Sequence, residues 1–326
     1  MPSRLLLNLA QRLFPGEPER NAFLQSLETP APERRAVIWT GSPDPTWRSA
    51  HTTPPPPELS DWPWPRWLDI VTPGVRPGQD DLHEAGAFYS LDVSSIWAAS
   101  PLWIIETPPS PRVLDVCAAP GGKSIFASRA LAPGLLLSNE VIGKRLGILR
   151  HNLARCGIPH AFTQRLDPAD LGAQLPEAFD VVLVDAPCSG QSLLTKGIDN
   201  PGCFHTTVVQ HNSRRQRRIL AEAARTVTPG GHLLYTTCTF SPEENEKVIG
   251  WFLQRTPEFR AIEVPHLAPW RSRLRDDPAY RLFPHQGLGA GGFACLLRRE
   301  GSGPASTGIA PEVLGYPVER NRPDSH

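Results

Sequence analysis

Short apolar runs alternate along the chain with longer segments in which apolar residues recur every three or four positions. The first pattern predicts buried β-strands and the second predicts amphipathic helices. Strands are predicted at 112–116, 135–138, 181–184, 232–236 and 291–298. A further helix is predicted to begin at Ser241, and others to span 123–131, 142–155 and 214–227. Strands that alternate with helices indicate the α/β class, with a Rossmann-like layer fold and a mostly parallel sheet.

The first 80 residues differ in composition, which predicts a small module with its own helix and strand. Fifteen of the 37 prolines and five of the 9 tryptophans fall in the first 77 residues. The prolines at 54–57 and the Trp-Pro repeat at 62–65 cannot form a helix and favour extended chain. We expect an ordered strap whose Trp rings pack on the protein; a polyproline ligand for a partner domain is the alternative. Residues 1–15 favour a short amphipathic helix, and 35–40 favour a strand.

These patterns divide the chain into three parts. An N-terminal accessory module with a Pro/Trp-rich linker is expected at 1–80, and an α/β domain at 81–300. A flexible tail is expected at 301–326, because Gly, Pro and Ser follow closely on one another after Glu300.

Charge and cysteine content narrow the class of protein. The 33 Lys and Arg residues balance 33 Asp and Glu, so the formal net charge is +0. This balance argues against a nucleic-acid binder that relies on bulk positive charge. No apolar run approaches the roughly 20 residues of a membrane span, so no membrane partner is expected. The 6 cysteines lack the spacing of a zinc site, which predicts no metal, and they favour reduced thiols in a cytoplasmic enzyme.

A Gly-rich turn follows the first strand of the α/β region. The sequence reads Val113-Leu-Asp-Val-Cys117-Ala-Ala-Pro120-Gly-Gly-Lys123-Ser124, and a helix is predicted directly after it. Such a turn lets a ligand approach backbone N–H groups at a helix N-terminus. A phosphate-binding GxxxxGK[ST] loop fits poorly, because Cys117 stands where its first glycine is required. A nucleotide-like cofactor is favoured, and a purely structural turn is the alternative.

Two acidic residues are candidates for binding the sugar and the base of such a cofactor. Glu140 follows the second strand, about 20 residues after the turn, where an acid commonly accepts hydrogen bonds from ribose hydroxyls. An acid that only favours a helix N-terminus would look the same in the sequence. Asp167, after the third apparent strand, is the comparable candidate for the base end of the cofactor.

Two further strands each end in a turn that carries a cysteine. Asp185-Ala-Pro-Cys188-Ser-Gly follows the strand at 181–184, and Thr237-Cys238 follows the strand at 232–236. Ligands of open α/β sheets bind at the carboxyl ends of strands. Cys238 also precedes a predicted helix N-terminus, where the helix dipole favours the nucleophilic thiolate. A packed core cysteine explains either position alone, but not both cysteines together with Asp185.

Taken together, these motifs resemble the Nop/Sun-type (RsmB/Nop family) RNA cytosine-5 methyltransferases, which use S-adenosylmethionine. The resemblance covers residues from about 82 to 299. It implies a class I methyltransferase Rossmann-like domain at 81–300 and a small α/β module at 1–80 that contributes RNA contacts. The segments that carry the resemblance are 117–123 for the cofactor loop, 185–190 for the fourth motif, 237–246 for the sixth, and the flanking 86–95, 281–285 and 291–293.

The resemblance also implies a role for each site residue. Cys238 would attack C6 of the cytosine as a thiolate, Asp185 would hydrogen-bond the ring near N3, and Cys188 would assist release of the covalent adduct. The RNA would be single-stranded or would present a flipped cytosine, since C6 is inaccessible in a stack. The residues expected to bind S-adenosylmethionine are Cys117, Ala118, Ala119, Pro120, Gly121, Gly122, Lys123, Glu140, Asp167 and Asp185.

Two positions depart from the pattern of the family. Glu140 stands where the family commonly has Asp, and its longer side chain should still reach two ribose hydroxyls. The segment 191–197 replaces the commoner Gly/Arg-rich loop. The second change leaves the choice of RNA open, with rRNA and tRNA both possible substrates.

Two other function classes remain as alternatives. A catalytically silent RNA-binding or ribosome-assembly factor could use the same fold, but it would have no reason to keep both cysteines, Asp185 and the cofactor loop. A DNA cytosine methyltransferase would use the Pro187-Cys188 pair as its nucleophile, whereas Thr237-Cys238 favours RNA.

A cluster of arginines reconciles the zero net charge with an RNA substrate. Arg214, Arg215, Arg217 and Arg218 lie within five positions at the start of a predicted helix, between the two cysteine motifs. A solvated helix face explains this run equally well. The functional interpretation is a local phosphate-contacting patch, to which Lys196 is added. We expect the protein to act as a monomer.

Overall fold

The computed structural model describes residues 3–29, 33–302, 309 and 311–319. The helices are α1 (Arg4–Leu13), α2 (Glu17–Glu28), α3 (Pro45–His51), α4 (Asp81–Glu84), α5 (Val93–Ala99), α6 (Gly122–Leu131), α7 (Gly143–Arg155), α8 (Pro168–Gln174), α9 (Thr206–Arg225), α10 (Glu246–Leu253) and α11 (Pro311–Leu314). The strands are β1 (Arg35–Trp39), β2 (Thr52–Thr53), β3 (Leu68–Val71), β4 (Phe88–Asp92), β5 (Arg112–Asp115), β6 (Leu135–Asn139), β7 (Ala161–Gln164), β8 (Phe179–Asp185), β9 (Val227–Thr237), β10 (Phe259–Ala261), β11 (Tyr280–Leu282), β12 (Gly292–Arg299) and β13 (Tyr316–Pro317).

The larger sheet has the strand order β10-β12-β9-β8-β5-β6-β7-β13, with β11 paired to β12. Its central strands β7, β6, β5, β8 and β9 run parallel, and the outer strands join them antiparallel. The expected α/β fold with a parallel central sheet is confirmed. The chain leaves β5 toward β6 and β7, then returns to β8 on the other side of β5. The carboxyl ends of β5 and β8 therefore form the topological switch point where open α/β sheets bind ligands.

The strand β8 is apolar at four consecutive positions because both faces of the sheet are covered. Val181 and Leu183 belong to a core that includes α5, α6 and α7 residues. Val182 and Val184 belong to a second core with residues of α9 and α10 on the opposite face. A strand buried on both faces cannot alternate apolar with polar residues, which explains the unbroken run.

Two helix boundaries beside the site differ from the sequence expectation. The helix α9 begins at Thr206 rather than 214. Its first residues are β-branched and have weak helix propensity, but burial of Val209 stabilises them as a helix. The arginines at 214–218 therefore lie in the middle of a helix. The helix α10 begins at Glu246 rather than Ser241, because the intervening side chains of Glu244 and Asn245 turn inward and bond to neighbouring turns.

The N-terminal module extends beyond the boundary expected at residue 80. Its antiparallel sheet has the order β2-β3-β1-β4. The strand β4 pairs with β1 from Arg35↔Asp92 to Trp39↔Phe88. The sheet of the module is therefore completed by a strand that precedes the large sheet, and residues of β4 reach the loop after β5.

The Pro/Trp-rich segment is an ordered strap on the protein, as expected. Trp62 is buried, and its ring contacts the edges of Trp103 and Trp270 at centroid distances of 5.7 and 6.0 Å. Trp64 donates its indole N–H to the carbonyl of Leu59 at 2.8 Å. The indoles fill a core under the strap, which explains their number in a segment with little regular structure.

The helices α1 and α2 pack on the large domain through an aromatic cluster. The ring of Phe23 is fully buried and lies edge-on to Phe240 and Phe283, with centroid distances of 5.3 and 5.8 Å. Phe14 adds a contact to Phe23 at 5.1 Å. Phe240 follows Cys238 by two residues, so this cluster supports the turn that carries that cysteine.

Part of the segment expected to be a flexible tail has regular structure. The strand β13 pairs with β7, with Tyr316 opposite Thr163 and Pro317 opposite Phe162. The backbone of β7 would otherwise be an open sheet edge, and this pairing uses its hydrogen-bonding groups. Residues 303–308, 310 and 320–326 of the expected tail lie outside the described residues.

Two kinds of feature are not found within the described part of the chain. No helix there has both the length and the apolar character needed to cross a bilayer. Nor do those residues bring together three or more His, Cys, Asp or Glu side chains in a group able to hold a metal ion.

Replacing Phe23 with Ala should destabilise the protein by about 3–5 kcal/mol, because a fully buried ring is removed from between Phe240 and Phe283. Urea unfolding followed by tryptophan fluorescence measures the change in the free energy of unfolding. Leu7→Ala on α1 is the control, since Leu7 is 43% exposed and its loss should cost far less. Equal stability of the two variants would contradict the packing of α1 and α2 on the large domain through Phe23.

Candidate active site

The candidate site lies at the carboxyl ends of the neighbouring strands β5, β8 and β9. The strand β5 leads into the Gly-rich turn, β8 ends at Asp185, and β9 ends one residue before Cys238. Because these strands are parallel and adjacent, the sheet brings the three sequence motifs to one edge. The expected clustering of the motifs is therefore present in the structure.

The two strand-end cysteines face each other. Their Sγ atoms are 3.1 Å apart, within hydrogen-bond distance for sulfur, and Cys238 is the exposed member of the pair. The hydrogen bond from Cys188 lowers the pKa of Cys238, whereas that same bond and burial raise the pKa of Cys188 well above its ordinary value. The direction of these two shifts favours a proton on Cys188 and the thiolate on Cys238. This polarity fits Cys238 as nucleophile and argues against the alternative in which Cys188 attacks.

Asp185 and Lys123 form an ion pair beside the thiols. Lys123 Nζ lies 2.8 Å from Asp185 Oδ2, and Thr236 Oγ1 donates to Asp185 Oδ1 at 2.7 Å. Burial alone would lower the pKa of Lys123, but the charge and the hydrogen bond of Asp185 raise it above its ordinary value. The positive charge of Lys123 also favours the thiolate of Cys238. The lysine of the Gly-rich turn therefore lies where its charge acts on both Asp185 and Cys238.

The Gly-rich turn is shaped by two glycines with different constraints. Gly121 has φ +115°, a conformation that L side chains rarely adopt, and it caps the N-terminus of α6. A Cβ on Gly122 would lie 2.5 Å from Leu91 of β4. Side chains of α7 hold the turn from outside: Arg145 donates to the carbonyl of Ala119 at 2.6 Å, and Asn152 donates to that of Pro120 at 2.9 Å.

Glu140 has the features of a hydroxyl-binding acid. Its side chain is 3% exposed, and Oε1 accepts a hydrogen bond from the backbone N–H of Ile142 at 2.9 Å. Oε2 lies 3.3 Å from Arg145 but accepts no hydrogen bond from any described residue. A buried carboxylate oxygen without a donor is costly, so a ligand hydroxyl at this point would satisfy it.

Asn139 and Asp115 are site residues that the sequence analysis missed. Asn139 links the turn after β5 to the segment before α8, donating to the carbonyls of Val116 and Leu166 at 3.1 and 3.0 Å. Asp115 is fully buried at the end of β5, and burial raises its pKa to about 7 although Ser124 donates to it at 2.7 Å. Their position at strand ends was the available signal.

A third missed residue, Glu244, joins the turns that carry the two cysteines. Its carboxylate accepts from the backbone N–H of Ser189 at 2.8 Å, from the Ser189 hydroxyl at 2.5 Å, and from Gln216 of α9 at 2.9 Å. The turn after Cys188 also donates from Ser192 N to the carbonyl of Cys238 at 3.1 Å. The acidic run after Ser241 was interpreted as a helix start, which concealed this inward role.

The remaining predicted residues lie at differing distances from the thiols. Asp167 caps α8 by accepting from Ala169 N at 3.0 Å, and it pairs with Arg218 at 3.1 Å. Cys117 sits in the turn after β5, where burial raises its pKa and makes it a packing residue rather than a reactive thiol.

The arginines of α9 do not share one environment. Arg214 and Arg218 are exposed, and Arg217 lies over the ring of Trp251 at 5.7 Å. Arg215 is half-buried, and its charge acts on Cys117 in the cofactor turn. Lys196 is separate from this cluster and lies 3.4 Å from Asp92, in a cavity on the side of the N-terminal module.

Comparisons with known proteins agree with the fold and identify a family. A family model described as 16S rRNA methyltransferase RsmB/F matches residues 103–298, which is more than half of the chain. The crystal structure of NSun6 from Pyrococcus horikoshii with SFG superposes with a TM-score of 0.70 at 18% identity, covering 92% of this chain and 99% of that one. At this identity the likeness supports the fold alone.

Two relatives carry the name ribosomal RNA small subunit methyltransferase F. The protein from Klebsiella pneumoniae is 35% identical over 212 residues, which cover 64% of this chain and 44% of the relative. The protein from Escherichia coli is 32% identical over 255 residues, which cover 77% of this chain and 53% of the relative. The chain thus spans about half the length of the curated relatives it matches.

Cys238 should react with iodoacetamide at a lower pH than an ordinary thiol, because Cys188 donates to its sulfur. In Cys188→Ala the midpoint of the pH–rate profile for Cys238 should move upward. Mass spectrometry of tryptic peptides measures the rate at each cysteine.

Cys203→Ala is the matched control for this experiment, because burial raises the pKa of Cys203 to about 11 and its thiol does not touch Cys238. It should leave the Cys238 profile in place. An unchanged midpoint in Cys188→Ala would contradict the donor role of that thiol.

Proposed function

The chain belongs to the RsmB/F family of 16S rRNA methyltransferases, and from that premise we propose that it methylates C5 of a cytosine in small-subunit rRNA through a covalent Cys238 adduct. The single observation that supports this chemistry best is the contact of Cys238 with Cys188 at 3.1 Å, beside the Asp185–Lys123 ion pair. A nucleophile, a proton donor and a carboxylate–ammonium pair at one sheet edge match the needs of that reaction. The names of the relatives favour rRNA over tRNA as the substrate.

S-adenosylmethionine is the proposed cofactor, and it supplies the electrophilic methyl group when bound. Glu140 Oε2, which accepts no hydrogen bond from a described residue, would accept one from a ribose hydroxyl, and the turn around Gly121 would offer backbone N–H groups at close approach. Asp167, at the N-terminus of α8, is the candidate for the base end. The residues proposed to bind it are Cys117, Ala118, Ala119, Pro120, Gly121, Gly122, Lys123, Glu140, Asp167 and Asp185.

Cys238 begins the reaction because cytosine C5 is a poor nucleophile on its own. Its thiolate forms a bond to C6, and the electrons of the C5–C6 double bond move toward C5 and the N3 edge of the ring. Asp185 takes up a proton and, as the acid, donates it toward N3 while negative charge develops there, and the ammonium group of Lys123 beside it compensates the remaining charge. C5 is then nucleophilic enough to take the methyl group.

Cys188 then assists release of the adduct, because its pKa changes once Cys238 is bonded to C6. In the free protein the hydrogen bond to Cys238 is the largest cause of its raised pKa. Once Cys238 is bonded to C6 its sulfur is neutral, so this cause disappears and Cys188 becomes more acidic. After its own proton has passed to solvent, the Cys188 thiolate accepts the C5 proton. The electron pair of the C5–H bond then restores the C5–C6 double bond, and the electrons of the broken Cys238–C6 bond return to the Cys238 sulfur as a thiolate. This order of events explains why two thiols are needed.

RNA contacts near the site are assigned to the α9 arginines. Arg214 and Arg218 face solvent, and Arg218 exchanges its exposed partner Asp167 for a phosphate at small cost. Arg215 and Arg217 are half-buried on the same helix, and Lys196 lies apart from the four arginines. Such local contacts suit a flipped cytosine in a single-stranded segment.

Cys238→Ala should abolish methyl transfer to small-subunit rRNA, lowering the rate at least about a thousandfold, because no nucleophile remains to activate C5. Transfer of a radiolabelled methyl group to purified 16S rRNA measures the rate. Cys295→Ala is the control, since Cys295 is buried in the second core away from the site. Wild-type activity of the Cys238 variant would overturn the nucleophile assignment.

Cys188→Ala should instead accumulate a covalent RNA–protein complex, because the C6 bond forms while its release is slowed. The complex should appear as a slower band on a denaturing gel of protein incubated with rRNA and S-adenosylmethionine. The double variant Cys188→Ala, Cys238→Ala should give no such band. A single Cys188 variant that methylates normally and leaves no adduct would contradict the release role.

A further inference from the structure

A cavity outside the active site separates the N-terminal module from the large domain. It has a volume of about 590 Å³, within the range of about 300–1,000 Å³ for small-ligand pockets. One wall is the proline run at 54–57, for which the proposed reaction has no use. The opposite wall comes from Pro284, Gly287 and Gly289 of the segment before β12. Apolar groups make up most of the lining. Its polar residues are the charged Glu33, Arg34, Asp92 and Lys196 and the hydroxyl-bearing Ser26, Thr53 and Thr195.

Asp92 is a buried acidic residue of the cavity lining, and one of its carboxylate oxygens accepts no hydrogen bond from a described residue. Its side chain is 4% exposed, and Oδ1 accepts from Ser94 N at 2.8 Å, which caps α5. Oδ2 is buried and accepts no hydrogen bond from any described residue. A Cβ on Gly289 would lie 2.6 Å from Oδ1, so the chain is kept free of side-chain bulk at this carboxylate. An unsatisfied carboxylate oxygen in a cavity wall points to a ligand that donates a hydrogen bond.

Lys196 stands beside this oxygen and gives the cavity a donor. Its Nζ lies 3.4 Å from Asp92 Oδ2 and 3.9 Å from Glu33 Oε1, and its side chain is 25% exposed. The contact with Asp92 is an ion pair without hydrogen-bond geometry, so Oδ2 has a charged neighbour but accepts no hydrogen bond from a described residue. The cavity therefore presents an acceptor and a donor side by side between apolar walls. The edge of an unpaired nucleobase also carries a hydrogen-bond donor beside an acceptor, which can pair with this acceptor and this donor. The flat faces of the base suit contact with apolar side chains.

The cavity is linked to the active site by one short turn. Ser192 donates its backbone N–H to the carbonyl of Cys238 at 3.1 Å, whereas Thr195 and Lys196 of the same turn line the cavity. Three Cα–Cα steps of about 3.8 Å limit the distance between the Cα atoms of Ser192 and Thr195 to about 11 Å. The backbone of Cys238 and the lining of the cavity are thus connected through a single short segment, which makes a nucleotide next to the target cytosine the candidate occupant of the cavity.

We propose that this cavity, between the proline strap and the Asp92–Lys196 pair, binds the unpaired base of a nucleotide flanking the methylated cytosine. The inference rests on the proposed RNA substrate and deepens it by naming a specificity site. Asp92 accepts a hydrogen bond from the base edge, Lys196 donates to the adjacent acceptor, and the prolines contact the faces of the ring. This site assigns a function to the 191–197 segment, which departs from the family pattern.

The test uses RNA oligonucleotides cut from the rRNA sequence around the methylated cytosine. Each position within two nucleotides of that cytosine carries A, C, G and U in turn. Mass spectrometry of nuclease fragments gives kcat/KM for methylation of the target cytosine itself. Wild type should prefer one base at one flanking position by at least about fivefold, the discrimination expected of a well-made pair of hydrogen bonds.

Two variants then change the cavity while keeping the helix cap. Asp92→Asn retains an oxygen for Ser94 N but presents an amino group to the cavity, so it should change the preferred base at that position. Lys196→Met should reduce the preference to less than about twofold. Asp44→Asn, at the N-cap of α3, and Lys247→Met, on α10, remove the same charges outside the cavity and should keep the wild-type preference.

The outcomes separate this inference from the proposed function. Methylation by wild type with no base preference at any flanking position would overturn the cavity assignment and leave the methyltransferase proposal standing. The cavity assignment would also be overturned, and the methyltransferase proposal would still stand, if both cavity variants kept the wild-type base preference. Failure of wild type to methylate any oligonucleotide or the intact rRNA would overturn the proposed function and this inference with it.

Discussion

The geometry of the two thiols depends on one buried carboxylate, that of Glu244. It is fully buried, and it receives hydrogen bonds from the turn after Cys188 and from α9 while lying itself in the turn after Cys238. Three parts of the chain that are far apart in sequence are therefore fixed by a single acceptor group. Burial raises the pKa of Glu244 despite these donors, so the network holds the carboxylate at an energetic cost. A neutral residue of similar size would leave several donors unsatisfied and the two turns independent of one another.

This constraint also explains the break between β9 and α10. A helix that began at Ser241 would turn the next acidic residues toward solvent, where they could not reach Ser189 or Thr237. Instead Asn245 accepts from Thr237 at 2.6 Å and donates to the carbonyl of Thr239 at 2.9 Å. The chain gives up about one helical turn so that Cys238 is held in an exposed, non-helical turn from which its sulfur can reach a substrate.

The parts of the fold that follow from local pattern could be predicted, and the parts that follow from distant contacts could not. The apolar run of β8 and the glycines after β5 are local signals, because burial on both faces and close backbone approach restrict residue type directly. Glu244 carries no such signal, since its partner Ser189 lies 55 positions away. The start of α9 was missed because Val209 is stabilised by tertiary burial against weak local propensity. Asp92 carried no signal of its own within the 86–95 segment, because only the assembled cavity shows that its Oδ2 accepts no hydrogen bond from a described residue.

The zero net charge has a structural counterpart in how the cations are paired. Lys123 is paired with Asp185 where both are partly buried, Arg145 lies beside the buried Glu140, and Arg218 pairs with Asp167 at the surface. An exposed pair contributes little stability and is weakened by salt, so Arg218 can change partners readily. The Lys123–Asp185 pair is less exposed, is also bonded by Thr236, and remains beside the two thiols. The balanced charge therefore includes two kinds of pair: exposed pairs that exchange partners readily and partly buried pairs that stay in place. The proposed phosphate contact of Arg218 draws on the first kind.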